Sequence, residues 1–461
     1  MNNNDTSQQK KKLFIKTYGC QMNSYDTRRM QDILRPLGYE PTETYEDADM
    51  AILNTCHIRE KATDKVFSDL GRIRPYKEAK EKNGEKMVVA VAGCVAQAEG
   101  DVILSRARYV DLVFGPQTYH QLPEMIAQIT GAYGKERIIN TDFPAEEKFD
   151  KLPQENGVNG PSAFLSVQEG CDKFCTFCVV PYTRGSEYSR SVISILDEAK
   201  RLVGAGARDI TLLGQNVNAF HGEGTDGKTW GLGQLIRELN DIEGLARIRY
   251  TTSHPCDMQD DLITAHRDCE KLMPYLHLPV QSGSDNILKA MNRKHTAQSY
   301  LDVLARFRDI RPDIALSSDF IIGFPGETDQ DFHDTMNLVE KVGYSLAYSF
   351  KYSPRPGTPA ANMQNLVRED VKDKRLHLLQ ALLSEQASSF NQSFIGKNVK
   401  VLFDGRQTKP GHLHGRTEHN QAIHVEAPDR LFGQIAEVNV TSAGNTALHG
   451  KIVIADDELA A

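Results

Sequence analysis

Between Glu169 and Val180 the chain reads EGCDKFCTFCVV, which places Cys171, Cys175 and Cys178 at C-x3-C-x2-C spacing. Three thiols so close together can converge on one inorganic centre, and no other stretch restricts the surrounding fold as strongly. Phe174, Phe177 and Val179 stand between and beside them and would keep water off that centre. Structural zinc asks for four closed ligands, usually as paired Cys or Cys/His units. No second pair follows, and no histidine occurs in the next thirty residues. Three cysteines suit a [4Fe–4S] cluster with one iron left open, whereas a cluster held entirely by protein takes four. Three is also an odd number for a disulfide framework.

At 461 residues the chain exceeds one ordinary core, so two or three domains are expected. The N-terminal MNNNDTSQQKKK is polar, with no signal peptide expected, and no apolar run is long enough to span a bilayer. A cytoplasmic protein is the expectation. Eight cysteines in such a chain point to metal or redox use. A net charge of −8 argues against a generally basic nucleic-acid binder, but not against one that grips a folded RNA locally.

Leu13–Thr17, Met50–Asn54, Met87–Ala92 and Val110–Phe114 are short apolar runs separated by helical stretches. That alternation predicts a parallel, doubly wound sheet. Cys20, Cys56 and Cys94 each fall just past the carboxyl end of one of these strands, the edge at which open α/β sheets bind ligands. A lone cysteine there is usually a small buried hydrophobe. Three in succession point to a second iron–sulfur cluster with an open site. Residues 141–161 mix Pro, Gly, Asn and acids without an apolar period and read as a linker.

A second βα series starts at Ser162, with strands over Ala163–Gln168, Asp209–Gly214, Ala246–Thr252, Tyr275–Val280, Ile314–Ile322 and Ser345–Tyr352. One helix is expected to be capped by Ser194 with Asp197, another by Thr328 with Asp331 and closed by Gly343. Six βα units are too few for an eight-stranded barrel, so an open, partial (β/α)6 barrel is expected. Polar residues collect after the strands: Gln215, Asn216 and Asn218; Ser253 and His254; Gln281 and Ser282; Gly323, Gly326 and Glu327. The carboxyl face of such folds carries the chemistry. Gln215, Asn216, Ser253, Gln281, Gly323 and Glu327 are therefore the candidate cofactor-binding residues. His254, before a proline, reads as a hydrogen-bonded structural residue, and Cys256 and Cys269 match no ligand spacing and read as structural.

A long helix from about Glu369 to Phe390 follows, with Val371, Leu379, Leu382 and Leu383 as its expected buried stripe. From Phe394 onward, short alternating runs between Gly, Pro and Asp turns predict a small all-β barrel of roughly five strands, a size that binds nucleic acid in other folds. Phe394–Lys451 carries seven Lys/Arg against five Asp/Glu, with five His, a mildly basic balance within an acidic chain. The DDELAA end is an acidic tail without an assigned role.

The strings GCQMNSYD at Cys20, NTCHIRE at Cys56, GCVAQ at Cys94 and EGCDKFCTFCVVPYTRG, followed by the terminal barrel, resemble the radical S-adenosylmethionine methylthiotransferases. The resemblance implies a methylthiotransferase domain over 12–140, a radical S-adenosylmethionine core over 157–391 and a TRAM domain over 394–456. GCQMN, TTSHP and HLPVQSGSD are similar to the branch that acts on prenylated adenosine beside the tRNA anticodon. What this implies is two [4Fe–4S] clusters, one on Cys20, Cys56 and Cys94 and one on Cys171, Cys175 and Cys178. One S-adenosylmethionine would methylate a sulfur at the first cluster. A second, cleaved at the other, would give the radical that removes hydrogen from C2 of adenine. That C–H has no acidic proton, so the hard step falls to cofactors and no side chain is assigned an acid–base role. Implied partners are the tRNA anticodon stem-loop, a flavodoxin- or ferredoxin-like electron donor and a sulfur or cluster-repair donor, with no membrane and a monomer expected. The alternatives are the same chemistry on threonylcarbamoyladenosine tRNA or a ribosomal protein, or a non-catalytic iron–sulfur RNA-binding protein.

Overall fold

The computed structural model describes residues 10–57, 62–131, 137–143, 148–149 and 160–453. The expected N-terminal and acidic C-terminal tails, residues 58–60 of NTCHIRE and most of the expected linker lie outside the described residues. The chain forms two compact units. The first holds the described residues as far as Phe149, together with 169–172 and 179–188; the second holds 160–168, 173–178 and 189–453.

In the first unit β1 (Lys11–Thr17), β2 (Tyr39–Pro41), β3 (Met50–Thr55), β4 (Val88–Gly93), β5 (Leu112–Phe114) and β6 (Ile138–Asn140) make one parallel sheet, ordered β2-β1-β3-β4-β5-β6. The doubly wound parallel sheet is as expected. β2 (Tyr-Glu-Pro) and β6 (Ile-Ile-Asn) were not expected, since neither carries more than two consecutive apolar residues. Every residue of β3 and β4 is buried. Alternate side chains serve opposite faces: Met50, Ile52, Val88 and Ala90 pack with Met30 and Leu34, whereas Ala51, Leu53, Val89 and Val91 pack with Val66, Leu70 and Ile103. A parallel sheet covered by helices on both faces requires this double burial. Each large aliphatic side chain so buried contributes about 1.5–3 kcal/mol. The strand order reverses at β1, which opens a crevice beyond the carboxyl ends of β1 and β3.

The linker expectation needs one correction. Lys148 is fully buried, and its ammonium donates to both oxygens of Glu169, at 2.6 and 2.8 Å. A charge cannot be buried unpaired, so Glu169 holds Lys148 in place.

In the second unit β7 (Ser162–Ser166), β8 (Asp209–Leu213) and β9 (Arg247–Thr251) form one parallel sheet ordered β9-β8-β7. β10 (Tyr275–His277), β11 (Ala315–Ile322) and β12 (Leu346–Lys351) form another, ordered β10-β11-β12. A single parallel bridge, Ile248 to Leu272, links the regions between them. The six strands share one core, from Leu165 through Leu212 and Ile248 to Leu316, Phe320 and Leu379. This is the open, partial barrel expected from six βα units.

Two helix details differ from expectation. The helix Val192–Gly204 is capped by Ser191, whose Oγ accepts from the Ser194 amide at 3.3 Å. The expected cap, Ser194, lies inside the helix instead, because Val192 and Ile195 must both face the core. On the long helix Glu369–Gln392 the buried positions are Lys372, Arg375, Leu379, Leu383 and Asn391, while Val371 and Leu382 are only half buried. Lys372 and Arg375 are buried because carboxylates meet them: Lys372 donates to Glu369 at 2.8 Å and Arg375 to Glu327 at 2.6 Å and Asp329 at 2.7 Å. The cap at Thr328 with Asp331 and the left-handed Gly343 are as read.

β13 (Asn398–Arg406), β14 (His412–Thr417), β15 (Ala422–Glu426), β16 (Ile435–Ala443) and β17 (Ala447–Ile452) close into a barrel ordered β13-β14-β15-β17-β16. Val401, Phe403, Leu413, Ile423, Val438 and Leu448 fill it. Two arginines of β9 fasten the barrel to the core. Arg247, 1% exposed, donates to the carbonyls of Arg416 at 2.7 Å and Lys400 at 2.8 Å. Arg249 donates to those of Thr417 at 2.8 Å and Glu418 at 3.0 Å and pairs with Asp209 at 3.0 Å. Burial, with Arg249 beside it, lowers the Arg247 guanidinium to about 10, still charged at neutral pH. Each buried carbonyl left without its donor costs about 1–3 kcal/mol. Arg247→Met is expected to lower the thermal midpoint and to split off the terminal barrel as an earlier calorimetric transition; a single unshifted transition would count against this fastening.

Candidate metal centres and cofactor face

Cys20, Cys56 and Cys94 come from three strand ends at the carboxyl edge of the first sheet. Cys20 is the N-cap of helix Gln21–Leu34, Cys56 directly follows β3, and Cys94 opens helix Cys94–Arg106. Two of the three thus stand at helix N-termini, where the backbone dipole favours a thiolate. The hydrogen bond from Cys56 lowers Cys20 to about 6, with burial opposing and Arg184 helping. Burial pushes the Cys94 thiol up, against the pull of Arg184 and the Thr183 hydroxyl. Cys94 also lies within electrostatic reach of Cys20. The structure therefore brings these three residues together although they are far apart in sequence.

The backbone is shaped for the grouping. Gly19 has φ +91°, and a Cβ there would run into Cβ and Sγ of Cys56. Gly93 has φ +86°, and a Cβ there would meet the Thr55 carbonyl oxygen. Only glycine lets these loops pass so close. Asn23 staples the edge: its amide donates to the carbonyls of Tyr18 at 2.8 Å and Thr55 at 2.9 Å, and its Oδ1 lies 3.8 Å from Cys20 Sγ. None of the eight cysteines is in a disulfide. Among the described residues no three Cys, His or carboxylate side chains close tightly enough to hold a single metal ion. Three sulfur donors at one sheet edge, two of them at helix N-termini and none paired in a disulfide, fit an iron–sulfur group.

The second cysteine loop is divided between the units, Cys171 packing with the first and Cys175 and Cys178 with the second. In the first, the Cys171 amide donates to the Gly185 carbonyl at 3.2 Å. In the second, the Cys178 amide donates to Cys175 O at 2.9 Å, and Arg293 Nη1 donates to Cys175 Sγ at 3.7 Å. Distant elements brace this segment. The Thr176 amide and hydroxyl donate to Met291 O and Ala290 O, and Ala360 N donates to Thr176 O.

The polar residues after the barrel strands separate into roles. Gln168 Oε1 accepts from the amides of Gln215 at 2.9 Å and Asn216 at 3.2 Å. Asp257 takes Asn216 Nδ2 at 2.7 Å and Lys173 Nζ at 2.6 Å, tying the face to the cysteine loop. Asn216 Oδ1 and Ser253 Oγ are buried without a hydrogen-bond partner among the described residues. Gln281 is buried with a left-handed backbone, φ 75°. Glu327 is already engaged, accepting from Gly323 N at 3.0 Å and Arg375. Gly323 lies against the Lys372 side chain. His254 accepts from Cys256 N at 3.2 Å, and burial lowers it to about 2, so it stays neutral and structural. Cys269 is buried in the core, whereas Cys256 is exposed and donates to Arg293 O at 3.6 Å.

Residues 12–115 match Uncharacterized protein family UPF0004, residues 165–339 the Radical SAM superfamily and residues 392–453 the TRAM domain. A protein of Jannaschia sp. (strain CCS1), tRNA-2-methylthio-N(6)-dimethylallyladenosine synthase, is 57% identical over 449 residues, 97% of this chain and 96% of its own length. The chain belongs to the tRNA-2-methylthio-N(6)-dimethylallyladenosine synthase family. Two solved structures share the fold at low identity. The radical S-adenosylmethionine methyltransferase TsrM from Kitasatospora setae, with tryptophan and a SAM analogue bound, has TM-score 0.54 and 14% identity, covering 76% of this chain and 74% of its own. The cobalamin-dependent S-adenosylmethionine radical enzyme OxsB has TM-score 0.52 and 13% identity, covering 81% and 56%.

In this synthase-family chain, Asn23, Gln168, Asp257 and Arg293 are the site residues that sequence reading missed. Asn23 stands inside GCQMNSYD, Gln168 next to Glu169, and Asp257 next to Cys256. Adjacency was the only available signal. Gly19→Ala should hold about four irons per chain after anaerobic reconstitution, against about eight for the parent, because the loop bearing Cys20 can no longer close over Cys56; full iron loading would show that the loop tolerates a Cβ.

Proposed function

We propose that this chain adds a methylthio group to C2 of N6-dimethylallyladenosine next to the tRNA anticodon, using two S-adenosylmethionine molecules and two [4Fe–4S] clusters. The observation that carries this is the gathering of Cys20, Cys56 and Cys94 at one sheet edge, in a chain 57% identical over nearly its full length to a synthase of that name. Cys20, Cys56 and Cys94 would hold one cluster and Cys171, Cys175 and Cys178 the other. When bound, these groups supply one-electron cleavage of S-adenosylmethionine and the sulfur that is transferred.

The protein's own part is to bind, orient and exclude water. Asn216 Oδ1 and Ser253 Oγ, buried and unsatisfied, are the acceptor and hydroxyl that a zwitterionic S-adenosylmethionine would satisfy, with Gln281 and Gln215 beside them on the strand ends. Gly323 and Glu327 shape the loop after β11, with Glu327 held by Arg375. Phe177 packs against Ile287, Met291 and Phe324, which keeps that side of the Cys178 loop apolar.

The terminal barrel is the proposed grip on the anticodon stem-loop. His414 on β14, His424 on β15 and His449 on β17 are direct cross-strand neighbours, with ring centroids 6.3 and 5.5 Å apart. Their sequence neighbours Leu413, Ile423 and Leu448 point into the core, so the imidazoles line the outer face. Burial and the flanking histidines lower His424, which favours a neutral ring that can stack on an unpaired base. A stacked base is worth about 1–3 kcal/mol. Replacing all three by Ala is expected to weaken tRNA binding about tenfold or more; unchanged affinity would move the RNA to another face.

Among the described residues no helix is long and apolar enough to cross a membrane. We take the protein to act in the cytoplasm as a monomer, with a flavodoxin- or ferredoxin-like electron donor and a separate source of replacement sulfur. The substrate is tested by mass analysis of tRNA nucleosides from cells lacking the gene: methylthiolated prenyl-adenosine should disappear while its unmodified precursor accumulates. Methylthiolated prenyl-adenosine at normal levels would refute the assignment. Cys175→Ala should abolish 5′-deoxyadenosine formation from S-adenosylmethionine under reducing conditions. A non-catalytic RNA-binding protein would form none even before the substitution.

A further inference from the structure

We infer that Arg184 donates a charge-assisted hydrogen bond to the iron–sulfur group on Cys20, Cys56 and Cys94 and thereby sets its reduction potential. The inference rests on the proposed function. Arg184 lies six residues after Cys178 in sequence, within VVPYTRG, yet it packs with the first unit and is 3% exposed.

Its backbone is fixed from both sides. The Arg184 amide donates to Val180 O at 2.8 Å, and Gln117 Nε2 donates to the Arg184 carbonyl at 2.8 Å. Half of the guanidinium is spoken for: Nη2 donates to Asp26 Oδ2 at 2.6 Å and to Asn23 Oδ1 at 3.2 Å. Asn23 Oδ1 is the same atom that lies 3.8 Å from Cys20 Sγ, so the guanidinium stands one side chain away from that sulfur. Nη1 is buried and makes no hydrogen bond among the described residues; Glu169 Oε1 is 3.6 Å away, an ion-pair distance. Arg184 also acts electrostatically on both Cys20 and Cys94.

A buried guanidinium N–H without an acceptor is costly unless an acceptor arrives with a ligand. Thiolate and sulfide sulfurs are such acceptors, and hydrogen bonds to them together with local charge tune an iron–sulfur centre. One-electron reduction adds one negative charge to the centre and no proton. A fixed cation alongside stabilises that reduced form and raises the potential. The competing role is purely structural, with Arg184 only anchoring its loop to Asp26, and it predicts no effect on potential.

The test uses the full chain with Cys171, Cys175 and Cys178 replaced by Ala, which leaves one centre to titrate. After anaerobic reconstitution, iron is counted and the midpoint is read by electron paramagnetic resonance during reductive titration. Arg184→Gln should bind the same iron, about four per chain, with a midpoint more negative than its parent. Arg184→Lys, which keeps the charge but loses the fork, should fall between them. Equal midpoints for parent and Arg184→Gln at equal iron overturn the inference and leave the proposed function standing. If Arg184→Gln does not fold, Arg184→Lys decides: a more negative midpoint supports the hydrogen bond, and an unchanged one overturns it. A parent that binds no iron overturns both the inference and the reading beneath it.

Discussion

The parallel register of β1, β3 and β4 is the constraint on which the rest of the first unit depends. Thr17 pairs with Asn54, and Thr55 with Gly93, so the three strands end almost level. Each strand then leaves the sheet by a turn that must fit beside its neighbours, and each exit carries one cysteine. The two glycines that precede Cys20 and Cys94 permit this crowding, because side chains there would collide with Cys56 or the Thr55 backbone. A one-residue slip would exchange the faces of β3 and β4 and lift the cysteines out of line together. The hydrophobic pairing of the sheet and the placing of the sulfur donors are one event.

The second unit reaches a comparable end by the opposite route. Cys175 and Cys178 are neighbours in sequence, so no sheet is needed to gather them. What they need is bracing, which arrives from far along the chain: Met291, Arg293 and Ala360 each contact the short segment between them or Cys175 itself. Asp257 completes the frame by holding Lys173 and Asn216 at once. One site is assembled by secondary structure and finished with side chains, the other is local in sequence and finished by tertiary contacts.

This difference explains what could be read beforehand. Strand-end cysteines and the three-cysteine loop were legible because both signals are short-range: an apolar run, a small residue, a thiol. The sheet, the partial barrel and the terminal barrel followed from period and turn chemistry. The buried cations were not legible. Lys148, Arg184, Arg247 and Arg375 each look in sequence like a solvated side chain, and each is buried because a carboxylate or a pair of carbonyls waits for it across the fold. Nothing local announces such a partner. The misplaced cap at Ser194 has a related cause, since Ser191 satisfies the same local rule one turn earlier and only the core decides between them.

Arg247 and Arg249 have a consequence for how an RNA would be measured. A barrel on a loose tether would raise the local concentration of any nucleic acid without caring how it is presented. Here four guanidinium hydrogen bonds tie the barrel directly to strand Arg247–Thr251. An RNA held by the barrel would then be presented at a fixed offset from strand Arg247–Thr251, with no slack in the join.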